Sequence, residues 1–167
     1  MTEVKTNQQQ NIRLLAVKAL SDINRNGAYA NIKLQEYLQK YHLSDLDRRF
    51  FTELVYGVIR RNNHLDAIIV HFAKRPLKKL SSMVVEILRL GIYQIIYMDK
   101  VPESAAVNES VKIAKKLTRG LSGFVNAVLR SVLRESDSIS IGELAKSEAE
   151  EISFIYNQPL WLGYLWI

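Results

Sequence analysis

Apolar residues recur at three- and four-residue steps along almost the whole chain, and this period constrains the fold more than any other feature. In NIRLLAVKALSDI, the positions Ile12, Leu15, Ala16, Ala19, Leu20 and Ile23 fall on one helical stripe. SSMVVEILRLGIYQIIYM repeats the pattern, with Val84, Leu88, Gly91, Ile95 and Met98 at steps of four, three, four and three. No convincing strand pattern is present, and 3 prolines and 7 glycines leave few interruptions. The spacing therefore predicts an all-α protein.

Local signals place the helix ends. NRNG (24–27) stops the first helix, with Gly27 suited to a left-handed cap. ANIKLQEYLQKY predicts a short second helix. Ser44 or Asp45 caps a third, which carries Phe50, Phe51, Leu54, Val55, Val58 and Ile59. Asn62 and Asn63 mark a break before HLDAIIVHFA, and Pro76 ends that segment. Ser81 or Ser82 opens the next helix. Gly91 within it costs about 1 kcal/mol of helix propensity relative to Ala, which a close helix crossing would explain. Pro102 reads as a first-turn residue. Two helices over 103–118 and 121–135 follow, joined by TRGLSG, and the acidic GELAKSEAEEISFIYN predicts one more before Pro159.

At 167 residues the chain has the length of one domain. Its net charge of +6 is unevenly distributed: residues 1–134 hold 22 basic and 11 acidic residues, whereas 135–167 hold 1 basic and 6 acidic. A basic body attracts polyanions, nucleic acid foremost. The sequence has no cysteine, which excludes disulfides, thiolate metal sites and cysteine nucleophiles and fits a reducing compartment. The polar start MTEVKTNQQQN shows no secretory signal, and residues 1–10 are expected to be a disordered tail. The longest uncharged run (152–167) is broken by Asn157, Gln158 and Pro159 and falls short of a membrane span. A cytoplasmic protein is expected.

No enzyme signature is present. His42, His64 and His71 lack the four-residue spacing of a zinc helix, and GLSG (120–123) lacks the strand-to-helix setting of a nucleophile elbow. No metal or cofactor site is expected in these residues. The basic clusters carry more information. Lys112, Lys116 and Arg119 share a helical face, as do Lys115 and Arg119, while Arg130 and Arg134 repeat the spacing on the next helix. AKRPLKKL adds Lys74, Arg75, Lys78 and Lys79 around a proline-bounded turn. Such clusters contact phosphates without reading sequence. The competing reading is a solvated face opposite a core stripe of Val111, Ala114, Leu117, Phe124, Val125, Val128 and Leu129. Asn108 and Asn126 read as paired structural hydrogen-bonders.

VPESAAVNESVKIAKKL followed by GFVNAVLRSVLRE resembles the paired C-terminal helices of the NusB-like RNA-binding fold, and VVEILRLGIYQIIYMDKVP fits the same pattern. DRRFFTELVYGVIRRNNHLDAIIVHF is more similar to the N-terminal domain of the RsmB (Sun/Fmu) family of ribosomal RNA cytosine-C5 methyltransferases than to the free antitermination factor. The resemblance spans residues 11–135, and the continuation to NQPLWLGYLWI resembles the segment leading into that family's catalytic domain.

The resemblance implies two three-helix bundles packed at an angle (11–135), then an acidic helix and linker (136–167) toward a methyltransferase domain not in this chain. It also implies S-adenosylmethionine as the parent enzyme's cofactor and small-subunit ribosomal RNA as partner. Family chemistry needs a cysteine to add at cytosine C6 and a second to release product, so these residues alone are expected not to catalyse it. Arg13 and Lys18 match the N-terminal basic helix that meets RNA in NusB relatives. Two other functions stay open. One is a free antitermination factor binding RNA with a ribosomal protein, against which the aromatic tail of Trp161, Tyr164 and Trp166 argues. The other is an interaction domain docking on the catalytic domain.

Overall fold

The computed structural model describes residues 11–27 and 29–166; the expected tail at 1–10 lies outside the described residues. The chain is helical, with no strand among the described residues. Seven principal helices are α1 (Ile12–Asn26), α2 (Ala30–Lys40), α3 (Asp45–Arg60), α4 (Asn62–Ala73), α5 (Ser82–Tyr97), α6 (Glu103–Leu117) and α7 (Ser122–Glu135). Three shorter ones follow: α8 (Ile141–Leu144), α9 (Glu148–Tyr156) and α10 (Leu160–Trp166).

Most ends form where the sequence places them. Asn11 Oδ1 accepts from the Leu14 N–H, Ser44 Oγ from Asp47 and Ser81 Oγ from Val84, so each side chain satisfies a first-turn donor. Gly27 caps α1 with φ +59°. Pro102 stands one residue earlier than expected, as the N-cap of α6. The break before α4 is shorter than the two asparagines suggest: Arg61 alone separates α3 from α4, and Asn62 is already helical. The acidic segment is two helices rather than one. Ala145 is extended, and Ser147 opens α9 by accepting from Glu150 N–H.

The helices α1, α2 and α3 form one bundle and α5, α6 and α7 a second, with α4 against α5 and α7 and with α1 and α3 crossing onto α5. The central helix α5 is therefore buried on nearly every side, from Val84 to Gln94, and not only on the narrow stripe its spacing suggests. Ile95 lies at the partly exposed margin of that helix. Gly91 has the expected cause. A Cβ there would lie 2.9 Å from Ser110 Oγ and 3.0 Å from both Leu129 methyl carbons, so its absence lets α5 meet α6 and α7. Gly57 plays the same part on α3, where a Cβ would collide with the Tyr93 ring of α5.

Polar groups tie the two halves. Arg89 grips Asp66 through Nε and Nη2 at 2.7 and 2.9 Å and donates from Nη1 to Glu86 Oε1 at 2.9 Å. Asn24 of α1 donates to the same Glu86 oxygen. Burial pushes the Glu86 carboxyl up, against the opposing pull of Arg89 and Asn24. Burial also acts to lower Arg89, but Asp66 and Glu86 outweigh it and hold the guanidinium above its ordinary value. His64 is buried; its Nδ1 meets the Tyr97 hydroxyl and its ring lies 5.7 Å from Phe154 of α9. That ring contact, with Asn63 donating to Ser153 at 3.0 Å, seats α9 on α4.

Candidate nucleic-acid interface

The basic turn after α4 is shaped by its apolar residues. Lys74 closes the helix in a left-handed conformation (φ 55°), its N–H donating to Val70 at 3.0 Å. Pro76 then starts a single 3-10 turn over Leu77–Lys79. Leu77 and Leu80 are three residues apart and pack against the core. Anchoring by these two leaves Lys78 and Lys79 exposed, alongside Lys74 and Arg75.

A second basic element forms at the α6–α7 turn. Helix α6 buries Ala106, Val107, Ser110, Ile113 and Ala114, a stripe displaced from the expected one, since Val111 and Leu117 are only partly buried. That burial turns Lys112, Lys115 and Lys116 to solvent. Thr118 ends the helix by folding its Oγ1 back to the Ala114 carbonyl at 2.6 Å. Arg119 is exposed in the turn, and Gly120 reverses the chain at φ +69°. Helix α7 then begins without a side-chain cap, so its first-turn N–H groups add partial positive charge to the same end.

One contact joins the two elements. The Arg75 guanidinium lies 5.5 Å from the centroid of the Phe124 ring, in the first turn of α7. The turn carrying Lys74, Arg75, Lys78 and Lys79 is thereby held against the end of the molecule that carries Lys115, Lys116 and Arg119. The remaining candidates are placed elsewhere. Arg130 and Arg134 lie about 9 and 15 Å further along α7 from Phe124 and donate to Asn126 and Ser131 of their own helix. Asn126 is thus paired with Arg130, and no hydrogen bond joins it to the exposed Asn108.

The α1 candidates also differ from one another. Lys18 is exposed. Arg13 is half-buried, its Nε donating to Gln94 Oε1 at 2.6 Å and its guanidinium 5.1 Å from the Phe50 ring. Burial draws Arg13 down from its ordinary value, and the nearby Glu109 partly offsets this. Glu109 also pairs with Lys112 at 3.2 Å, so Arg13 and Lys112 share one carboxylate. Three exposed arginines on α3 (Arg48, Arg49 and Arg60) lie outside the expected set, and no salt bridge among the described residues holds them. The arginine pairs at both ends of DRRFFTELVYGVIRR were the available signal. Among the described residues no group of three or more acidic or histidine side chains could hold a metal ion, and no helix is long and apolar enough to cross a membrane.

The family model of NusB matches residues 10–134. The chain belongs to the NusB family. Two relatives extend the match beyond that NusB region. A probable ribosomal RNA small subunit methyltransferase B of Synechocystis is 44% identical over 171 residues, covering 87% of this chain and 38% of the relative. A protein of the same description from Bacillus subtilis is 34% identical over 160 residues, covering 95% and 35%. The chain thus spans little more than a third of the length of these relatives and is homologous to their N-terminal part. Among solved structures, NusB of T. maritima matches at 25% identity with a TM-score of 0.68, covering 74% of this chain and 89% of that one. A chain from the structure of antitermination factors NusB and NusE in complex with dsRNA matches in fold at 22% identity and a TM-score of 0.67, covering 74% of this chain and 93% of that one. Helices α8 to α10 follow the NusB match, and at 95% of this chain the stretch shared with the Bacillus relative extends beyond that match.

Proposed function

We propose that this NusB-family domain binds RNA and positions it for an S-adenosylmethionine-dependent methyltransferase that modifies cytosine C5 of small-subunit ribosomal RNA in the cytoplasm. The observation that carries the reading is the Arg75–Phe124 contact, which gathers separate basic segments into one surface. Its working residues are Lys74, Arg75, Lys78, Lys79, Lys115, Lys116 and Arg119, with Lys112 and Arg130 at its margins. They neutralise phosphates of folded RNA and set its register, while the chemistry belongs to the methyltransferase domain. The domain itself (11–135) holds no cysteine to attack C6, and 136–167 serves as the segment leading toward the catalytic partner. A match to a methyltransferase relative over 95% of this chain, reaching beyond the NusB region, favours this over a free antitermination factor.

A second reading has its own observation. Trp161, Tyr164 and Leu165 of α10 are 64%, 59% and 71% exposed, an apolar face suited to docking on that catalytic domain. The test is binding of small-subunit ribosomal RNA across a salt series by the chain and by a variant with Lys112, Lys116, Arg119 and Arg130 changed to Glu. Weaker binding and a shallower salt slope in the variant support RNA holding. Equal, weak binding by both leaves docking as the role.

A further inference from the structure

Helix α3 carries a second candidate site, remote in sequence from the surface described above. Arg48, Thr52, Tyr56 and Arg60 recur at steps of four, so they run as one slanting stripe about 18 Å long. Together with the buried Leu38 of α2, they line a shallow, open groove of about 470 Å³, which Arg49 and Glu53 complete. We infer that this groove binds a short single-stranded RNA segment, with a base stacked on Tyr56 and phosphates held by Arg48 and Arg60. The inference rests on the RNA-binding reading above and names the strand form taken at a separate site.

Three features carry it. Arg48, Arg49 and Arg60 are exposed and form no ion pair among the described residues, whereas Arg13, Arg61 and Arg89 are spent on partners inside the fold. Three free guanidiniums along one groove make an electrostatic track for a phosphate backbone. The Tyr56 ring is partly buried against the core and partly open to the groove, so it is a fixed platform, and its hydroxyl has no hydrogen-bond partner among the described residues. A base stacking there gains cation–π support from neighbouring arginine. Glu53, one turn from both Arg49 and Tyr56, would repel a continuous run of phosphates but accepts a hydrogen bond from a base amino group. Cationic ends with an aromatic ring and one acceptor between them suit an unstacked nucleotide better than a duplex backbone.

The test is fluorescence anisotropy of this chain with a labelled, unstructured RNA of about ten nucleotides and with its duplex, at about 50 and 200 mM salt. The single strand is expected to bind more tightly than the duplex. Tyr56→Leu, which keeps apolar packing, should weaken single-strand binding on the order of tenfold, while Tyr56→Phe stays near wild type. Arg48→Gln with Arg60→Gln should lower the salt slope by about 1.4, from two lost phosphate contacts on a single strand. Tyr56→Leu binding the single strand like wild type, or losing as much duplex binding as single-strand binding, overturns the proposal. So does equal displacement of the RNA by poly-glutamate. If the groove variants leave ribosomal RNA binding intact while Lys116→Glu with Arg119→Glu abolishes it, and no single strand binds, the groove fails and the proposed function stands. If only the groove variants affect RNA, the surface at the α6–α7 turn is the one that fails.

Discussion

Arg75 sits over the ring of Phe124, 5.5 Å from its centroid, although 49 positions separate them in the chain. This contact ties the basic turn after α4 to the first turn of α7, and it is measurable. In a double-mutant cycle with Arg75→Ala and Phe124→Leu, the coupling should be about 0.5–1 kcal/mol, the size of an exposed cation–π pair. Phe124→Leu should also weaken RNA binding modestly, because the basic turn loses its seat while every charge remains. Urea unfolding gives the first value and the salt-series titration the second.

The two glycines at the helix crossings should differ in how well they tolerate a methyl group. Gly91→Ala gains about 1 kcal/mol of helix propensity but forces Ser110 and Leu129 aside, so the net effect is a small loss or none. Gly57→Ala drives a Cβ into the Tyr93 ring, a stiffer obstacle, and should cost about 2 kcal/mol or more. The urea midpoint should fall with an unchanged m-value; a Gly57→Ala protein as stable as wild type would remove the close-packing account.

Breaking the polar tie among α1, α4 and α5 should cost more than replacing it. Arg89→Ala leaves Glu86 buried beside Asn24 without its cation, at about 3–5 kcal/mol. Arg89→Met combined with Glu86→Gln should be far milder, since the deeply buried Glu86 charge is gone and Asp66, left without its cation, is partly open to solvent. Thermal unfolding of the two variants distinguishes a charge penalty from a simple loss of packing.

His64 sets a pH dependence with a defined sign. Burial, and secondarily the charge of Arg61, hold its imidazole below the ordinary value of 6.5. Below that pH the unfolded chain takes up a proton that the folded chain still refuses, so stability is full above 6.5 and declines as pH falls toward the folded value. His64→Asn keeps a polar group near Tyr97 and should flatten the profile between about pH 5 and 7. An unchanged slope in urea titrations would show that His64 does not titrate in this window.

Much of the fold was legible because helix formation here is a local matter. The caps at Asn11, Ser44 and Ser81 work through side chains three residues from the N–H groups they satisfy. The acidic tail was harder: Ser140 and Ser147 each cap a separate short helix, and two caps seven residues apart read as one charged helix in a periodicity count. The candidate interface was legible as residue types at helical spacing, but not as a surface. Lys115, Lys116 and Arg119 are exposed as expected, while Arg13 is drawn into contact with Gln94 and Phe50 of other helices.

The sequence by itself determined that the chain is helical, where most helices begin and end, and that its body is basic, because period, capping and charge act within a few residues. Only the tertiary structure decided which cations share a face, which are consumed inside the fold, and that Leu38 of α2 joins the α3 stripe in a shallow, open groove. Those outcomes depend on how α4 meets α7 and α1 meets α5. Such contacts join residues far apart in the chain, and no local spacing encodes them.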